Sequence, residues 1–310
     1  QTLILNSGGI TSIDGVIGGT TPINTLTTDA AGTTSINANI SSSSNQTYND
    51  TVDIEGGART LTSSGGAIFF DGTVDSISTT RFGLTVDAGS GLTTFDAAVG
   101  GTNAMGAIII SGSGGLDLDA VITNATSLSV TGTSNLGASV TTTGAQTYTG
   151  NSTLSGNGAL NFTGTTVSFL GTLVGDGGTD EELTITGNAI FGDQTTDTVT
   201  GLEELTITGN TTIETTTITT VDTQTYGDTA NSDTLTLGTN VVMTTGTAAG
   251  DDITFNSILN SDNTGDERNL TLTAEDVIFN GTVGQTLDLG AIDITGNLDL
   301  NADIGNTGGT

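Results

Sequence analysis

Glu181-Glu182-Leu183-Thr184-Ile185-Thr186-Gly187-Asn188 recurs unchanged as Glu203-Glu204-Leu205-Thr206-Ile207-Thr208-Gly209-Asn210, 22 residues further along the chain. In each copy Leu and Ile alternate with Thr, the period of a strand with one apolar and one polar face. Leu183, Ile185, Leu205 and Ile207 are therefore read as inward repeat positions. Looser copies are Leu84-Thr85-Val86-Asp87, Leu128-Ser129-Val130-Thr131-Gly132, Leu270-Thr271-Leu272-Thr273 and Ile292-Asp293-Ile294-Thr295. Thr, Ile and Val suit strands because β-branched side chains pack well on a pleated surface. Gly-Asn, Gly-Gly and Asp-Gly steps after these runs supply turns. No stretch of ten residues carries a helical period.

A period of about 22 residues is too short for a sandwich domain or a propeller blade and fits one coil of a solenoid. One coil cannot bury its own apolar face, but stacked coils share a continuous core. The expected fold is all-β, a right-handed parallel β-helix (β-solenoid), running as a single body over 1–310. At about 22 residues per coil that makes about 14 coils. Insertions are expected near residues 175–180 and 260–268, where Gly, Asp and Asn cluster. With no initiating Met, the chain reads as a processed protein or a segment of a longer repeat protein.

Two further elements recur. Gln-Thr-Tyr occurs at Gln46–Tyr48, Gln146–Tyr148 and Gln224–Tyr226, and takes in all three tyrosines of the chain. Phe-x-Gly-Thr occurs at Phe70, Phe169 and Phe279. Phe follows Gln by 24 and 23 residues in the first two cases and by 55 in the third, which implies a unit of variable length. Tyr is expected to cap an apolar turn while Gln bonds to backbone or to another Gln. The competing reading makes each Tyr an aromatic platform for a sugar ring. Phe82 and Phe95 read as internal.

The chain carries 34 acidic residues against Arg59, Arg81 and Arg268, for a formal charge of −31. Nucleic-acid binding is excluded on this count, because phosphates are held by Lys and Arg. Membrane insertion is not expected, since no apolar run approaches the roughly 18 residues of a span. The chain has no Cys, His or Lys. Serine-histidine, thiol and Schiff-base chemistry and His/Cys zinc sites are therefore unavailable. Paired carboxylates leave a β-helical polysaccharide-degrading enzyme as a remote alternative, but no Trp is present to grip a sugar polymer. The reading is not an enzyme.

No cofactor is expected. Calcium is the one candidate ion, because turns rich in Asp and Asn supply oxygen ligands. The acidic groups are Asp117/Asp119, Asp251-Asp252 and Asp262/Asp266-Glu267, and no metal residue is singled out. Glu181-Glu182 and Glu203-Glu204 should lie one above the other on neighbouring coils, where like charges repel. Runs such as Thr215–Thr220 should form an exposed sheet face. An ice-binding array would need Thr on the same face in consecutive coils, and the motif's variation among Thr, Asp and Ser argues against it.

Thr142-Thr143-Gly144-Ala145-Gln146-Thr147-Tyr148-Thr149-Gly150, followed by Leu154 and by Phe169-Leu170-Gly171-Thr172, resembles the repetitive β-helical stalks of large bacterial surface and extracellular-matrix proteins, the filamentous-haemagglutinin-like adhesins. The resemblance covers roughly residues 40–300 as a pattern. It lacks that group's N-terminal secretion domain. It implies right-handed coils, an extracellular or cell-surface location, and a role in attachment, biofilm cohesion or filament formation. The partners it implies are neighbouring repeats of the same protein or a second copy, with a glycan or surface ligand as the alternative.

Overall fold

The computed structural model describes residues 1–156, 158–177, 181–228, 233–263, 265 and 267–305. Among these there are strands and turns but no helix. Every strand pairing within each unit described below is parallel (for example Leu183 with Leu205 and Ile185 with Ile207). The repeat noticed in the sequence is thus one rung laid on the next, and the chain is a β-solenoid.

The chain divides into two compact units, Gln1–Asn151 and Ser152–Thr310. In the first unit three files of strands form three faces. One runs through Thr2–Leu5, Thr25–Thr28, Gln46–Tyr48, Ile68–Phe70, Thr93–Phe95, Leu116–Leu118 and Ser134–Leu136. A second stacks Ile10–Ile13, Thr33–Ile36, Thr51–Ile54 and Val74–Ser76, and continues through Val99 to Ile122. The third passes through Ile40–Ser42, Arg59–Ser63, Leu84–Asp87, Met105–Ile110 and the end of Ile122–Val130 to Gln146–Tyr148.

The second unit has the same three-faced coil. Glu182–Phe191 bends across two faces: its first half lies on Glu204–Ile207 and its second on Thr211–Ile213. The third face carries Leu173–Gly175, Thr198–Leu202, Thr217–Thr220, Val241–Thr244 and the start of Leu270–Phe279. Coil length is not fixed: residues stacked on neighbouring coils are 18 apart at Asn135 and Asp117 and 29 apart at Asn256 and Gly227. Of the expected insertion segments, residues 178–180, 264 and 266 lie outside the described residues.

Alternation decides what is buried. Leu183, Ile185, Leu205 and Ile207 are buried, while Thr184 and Thr206 between them face outward. Removing such apolar area from water is the main favourable term, about 25 cal/mol per Å². Corners are set by close approach of backbones. A Cβ on Gly72 would lie 2.1 Å from the Asp50 carbonyl oxygen, and one on Gly281 would lie 2.0 Å from that of Ser257. This explains the Gly of Phe-x-Gly-Thr: its Cα packs against the coil below.

Candidate functional site

The Gln-Thr-Tyr strands form an internal clasp. Each Tyr hydroxyl donates to the Gln Oε1 two residues earlier, at 2.8 Å for Tyr48, 3.2 Å for Tyr148 and 2.9 Å for Tyr226. Each Gln Nε2 donates to a hydroxyl four residues earlier, that of Ser42, Thr142 or Thr220. Gln46 also reaches the Thr62 carbonyl and Gln224 that of Thr244, both on the following coil. All six side chains are fully buried, and burial pushes the three tyrosine hydroxyls far above their ordinary range, with the Asp50 charge adding to the effect at Tyr48. Buried tyrosines cannot serve as a sugar platform, so that reading is overturned. The expected bonding of Gln to backbone holds, since Gln46, Gln146 and Gln224 donate to the carbonyls of Thr62, Val140 and Thr244, whereas the turn-capping role of Tyr is corrected, because the rings lie in the core.

The phenylalanines extend the clasps. Tyr48 stacks on Phe70 at 5.2 Å and Phe70 on Phe95 at 4.9 Å. Tyr226 stacks on Phe255 at 5.5 Å and Phe255 on Phe279 at 5.0 Å. Phe169 stacks on Phe191 at 6.4 Å. The gap between Gln224 and Phe279 is therefore an intervening coil that carries Phe255. Sequence reading missed it because Phe255 lacks the Gly-Thr that follows Phe70, Phe169 and Phe279. Phe82 is only half-buried, because it sits outside the strand files.

Outside, the carboxylates stack. Asp71, Asp96 and Asp119 each follow a first-face strand, and each backbone N–H bonds to the coil below. Burial, then the Asp71 charge, holds the Asp96 carboxyl above its usual range; burial, then Asp117 and Asp96, does the same for Asp119. Asp53 is raised by burial, its register partner Asp75 and Glu55. Glu204 is raised by burial, then its register partner Glu182 and Asp222. The expected stacking of the two Glu pairs holds, with Glu182 in register with Glu204 and the Glu203 N–H on the Glu181 carbonyl; Glu181 itself is only 2% exposed. Asp252 is raised by burial and then by Asp276. Arg268 bonds to Asp262 at 2.9 Å and holds that carboxyl below its usual range.

These stacks gather negative charge that mobile cations or protons can relieve. Among the described residues no group of three or more His, Cys, Asp or Glu is placed to hold a metal ion. Asp266, one of the expected acidic positions, lies outside the described residues. A hollow of about 520 Å³ in the second unit is lined by Glu267, Asp288 and the apolar Val283, Leu289, Ile292 and Ile304. One of about 370 Å³ in the first is lined by neutral groups, among them Val16, Pro22, Asn39, Thr60 and Thr62. No family model, no curated protein and no solved structure matches the chain.

Proposed function

We propose that this chain is an extracellular structural scaffold, a stretch of a surface stalk, matrix or filament that supports attachment and cell cohesion. The observation that carries the reading is the stack of parallel rungs, which lie coil on coil in register and bury a continuous file of apolar side chains. Such a stack is extended by neighbouring repeats or by a second copy in the same way as each coil extends the one before it. An acidic, lysine-free surface suits salt-rich external water, where cations screen self-repulsion. The resemblance of the Gln146–Tyr148 region to haemagglutinin-like stalks points the same way.

Electron microscopy of the purified chain, with and without calcium, tests this reading. Filaments of stacked subunits are the expected result. Short separate particles that bind a glycan array overturn it in favour of a ligand-binding adhesin segment.

A further inference from the structure

The third face of the second unit carries an ordered array of threonines. Its registers stack Thr198, Thr217, Val242, Thr271 and Asp293 in one outward file. Thr219, Thr244, Thr273 and Thr295 form a second file beside it. Between the files Val199, Ile218, Met243 and Leu272 point inward and are buried. Seven of these nine outward positions are Thr, one is Val, and the single acid stands on the last rung.

Strand propensity alone explains outward threonines but not this uniformity. The outward file on the first face of the first unit reads Thr27, Thr47, Phe69, Thr94, Asp117 and Asn135. On the second face of the second unit it reads Ile190, Thr212, Thr236 and Asn260. The first face of the second unit also aligns Thr184, Thr206, Thr225 and Thr254, but the file beside it sets Glu182 on Glu204; the third face places two threonine-rich files side by side. The hydroxyls differ as well. Thr215, Thr220 and Thr245, which turn inward near the same strands, donate to the carbonyls of Asp197, Asp222 and Asp251. None of the seven outward hydroxyls has a protein partner among the described residues.

Rungs of a parallel sheet repeat at about 4.8 Å, and outward residues two apart on a strand are separated by roughly 6.7 Å. The array is thus a two-dimensional net in which seven of nine nodes offer one methyl and one free hydroxyl. A polyanion or polycation would be gripped by many charges, and a sugar chain by aromatic faces; this net has a single acid, on its last rung, and no aromatic ring. A neutral, periodic surface of hydroxyls and methyls fits a neutral, periodic partner that both donates and accepts hydrogen bonds. We propose that this face binds ice, its methyls ordering a water layer that its hydroxyls fix in place. Such binding does not depend on whether the chain forms filaments.

The test is partition of the purified chain into slowly grown ice, together with thermal hysteresis. The expected result is enrichment in the ice fraction. Thr244→Tyr, in the middle of the array, should reduce it to the level of a non-binding control protein, while Thr236→Tyr, on another face, should leave it unchanged. Because a bulky ring can disturb a coil, Thr219→Ser and Thr273→Ser, which remove only methyls, are measured beside them; both should lower hysteresis with circular dichroism unaltered. Exclusion of the wild-type chain from ice overturns the proposal. So does unchanged hysteresis in the two serine variants, or retention on crystalline cellulose without enrichment in ice.

Discussion

The Tyr226 hydroxyl donates to Gln224 Oε1 at 2.9 Å, within a single strand and wholly inside the solenoid. A polar pair in an apolar core is tolerated because each group satisfies the other, and removing one member strands its partner. Tyr226→Phe should therefore cost about 1–3 kcal/mol, as should Gln224→Leu. The double variant should lose less than the sum, since neither polar group is then left alone. Denaturant titration of all four proteins measures this, and strict additivity would refute the clasp.

Gly281→Ala should destabilise by about 1–3 kcal/mol, because the added methyl meets backbone that cannot move aside. Gly8→Ala has open space around it and should change stability by no more than about 0.5 kcal/mol. Equal effects at the two sites would show that coil corners are not set by close approach.

Phe255 lies between two rings, so Phe255→Ala removes two stacking contacts and leaves a cavity. The expected cost is about 3–5 kcal/mol. Hydrogen exchange should show the loss concentrated in the coils bearing Tyr226 and Phe279, as expected where each repeat touches only its neighbours.

Acid should strengthen this fold before it weakens it. Asp53, Asp96, Asp119, Glu204 and Asp252 all have carboxyls raised above their unfolded values. The folded state therefore holds protons that the unfolded state has released, and stability falls as pH rises through that interval. The gain is fully present below the unfolded carboxylate range, near pH 4, and is lost as pH climbs through the raised values. Asp262 runs the other way: its contribution is present above the unfolded value and disappears as pH falls through the lowered one. Melting temperature followed from pH 7 to pH 4 should rise, and Asp96→Asn should flatten the slope. A melting temperature that falls over that range contradicts the stacked-carboxylate picture.

Salt probes the same repulsion without titration. Raising ionic strength from about 0.01 M to 0.15 M shortens the screening length from about 30 Å to about 8 Å. The melting temperature should rise, and Glu204→Gln should reduce that rise by removing a charge stacked on Glu182.

The coil itself was legible because Leu183–Ile185 and Leu205–Ile207 state both the strand period and the rung spacing in identical letters. The aromatic files were legible only in part. Phe70, Phe169 and Phe279 carry a following Gly-Thr that marks them, whereas Phe95, Phe191 and Phe255 are placed by register alone. The threonine net was not legible, for the same reason. Thr219, Thr244, Thr273 and Thr295 fall at unequal intervals along the chain, so their alignment exists only once turns of different length are absorbed.

The clasps also bear on how such a chain finds its pairing. In a strand that alternates Thr with Leu, Ile or Val, a slip of one residue is punished at once, because every side chain changes face. A slip of two residues keeps inside and outside intact and leaves an almost equally good ladder. Gln46 and Gln224 break that degeneracy, since each must meet a carbonyl on the following coil and a hydroxyl four residues back. They act as index marks in an otherwise repetitive text, and misthreaded stacks lacking them are the by-product to look for when the chain is refolded.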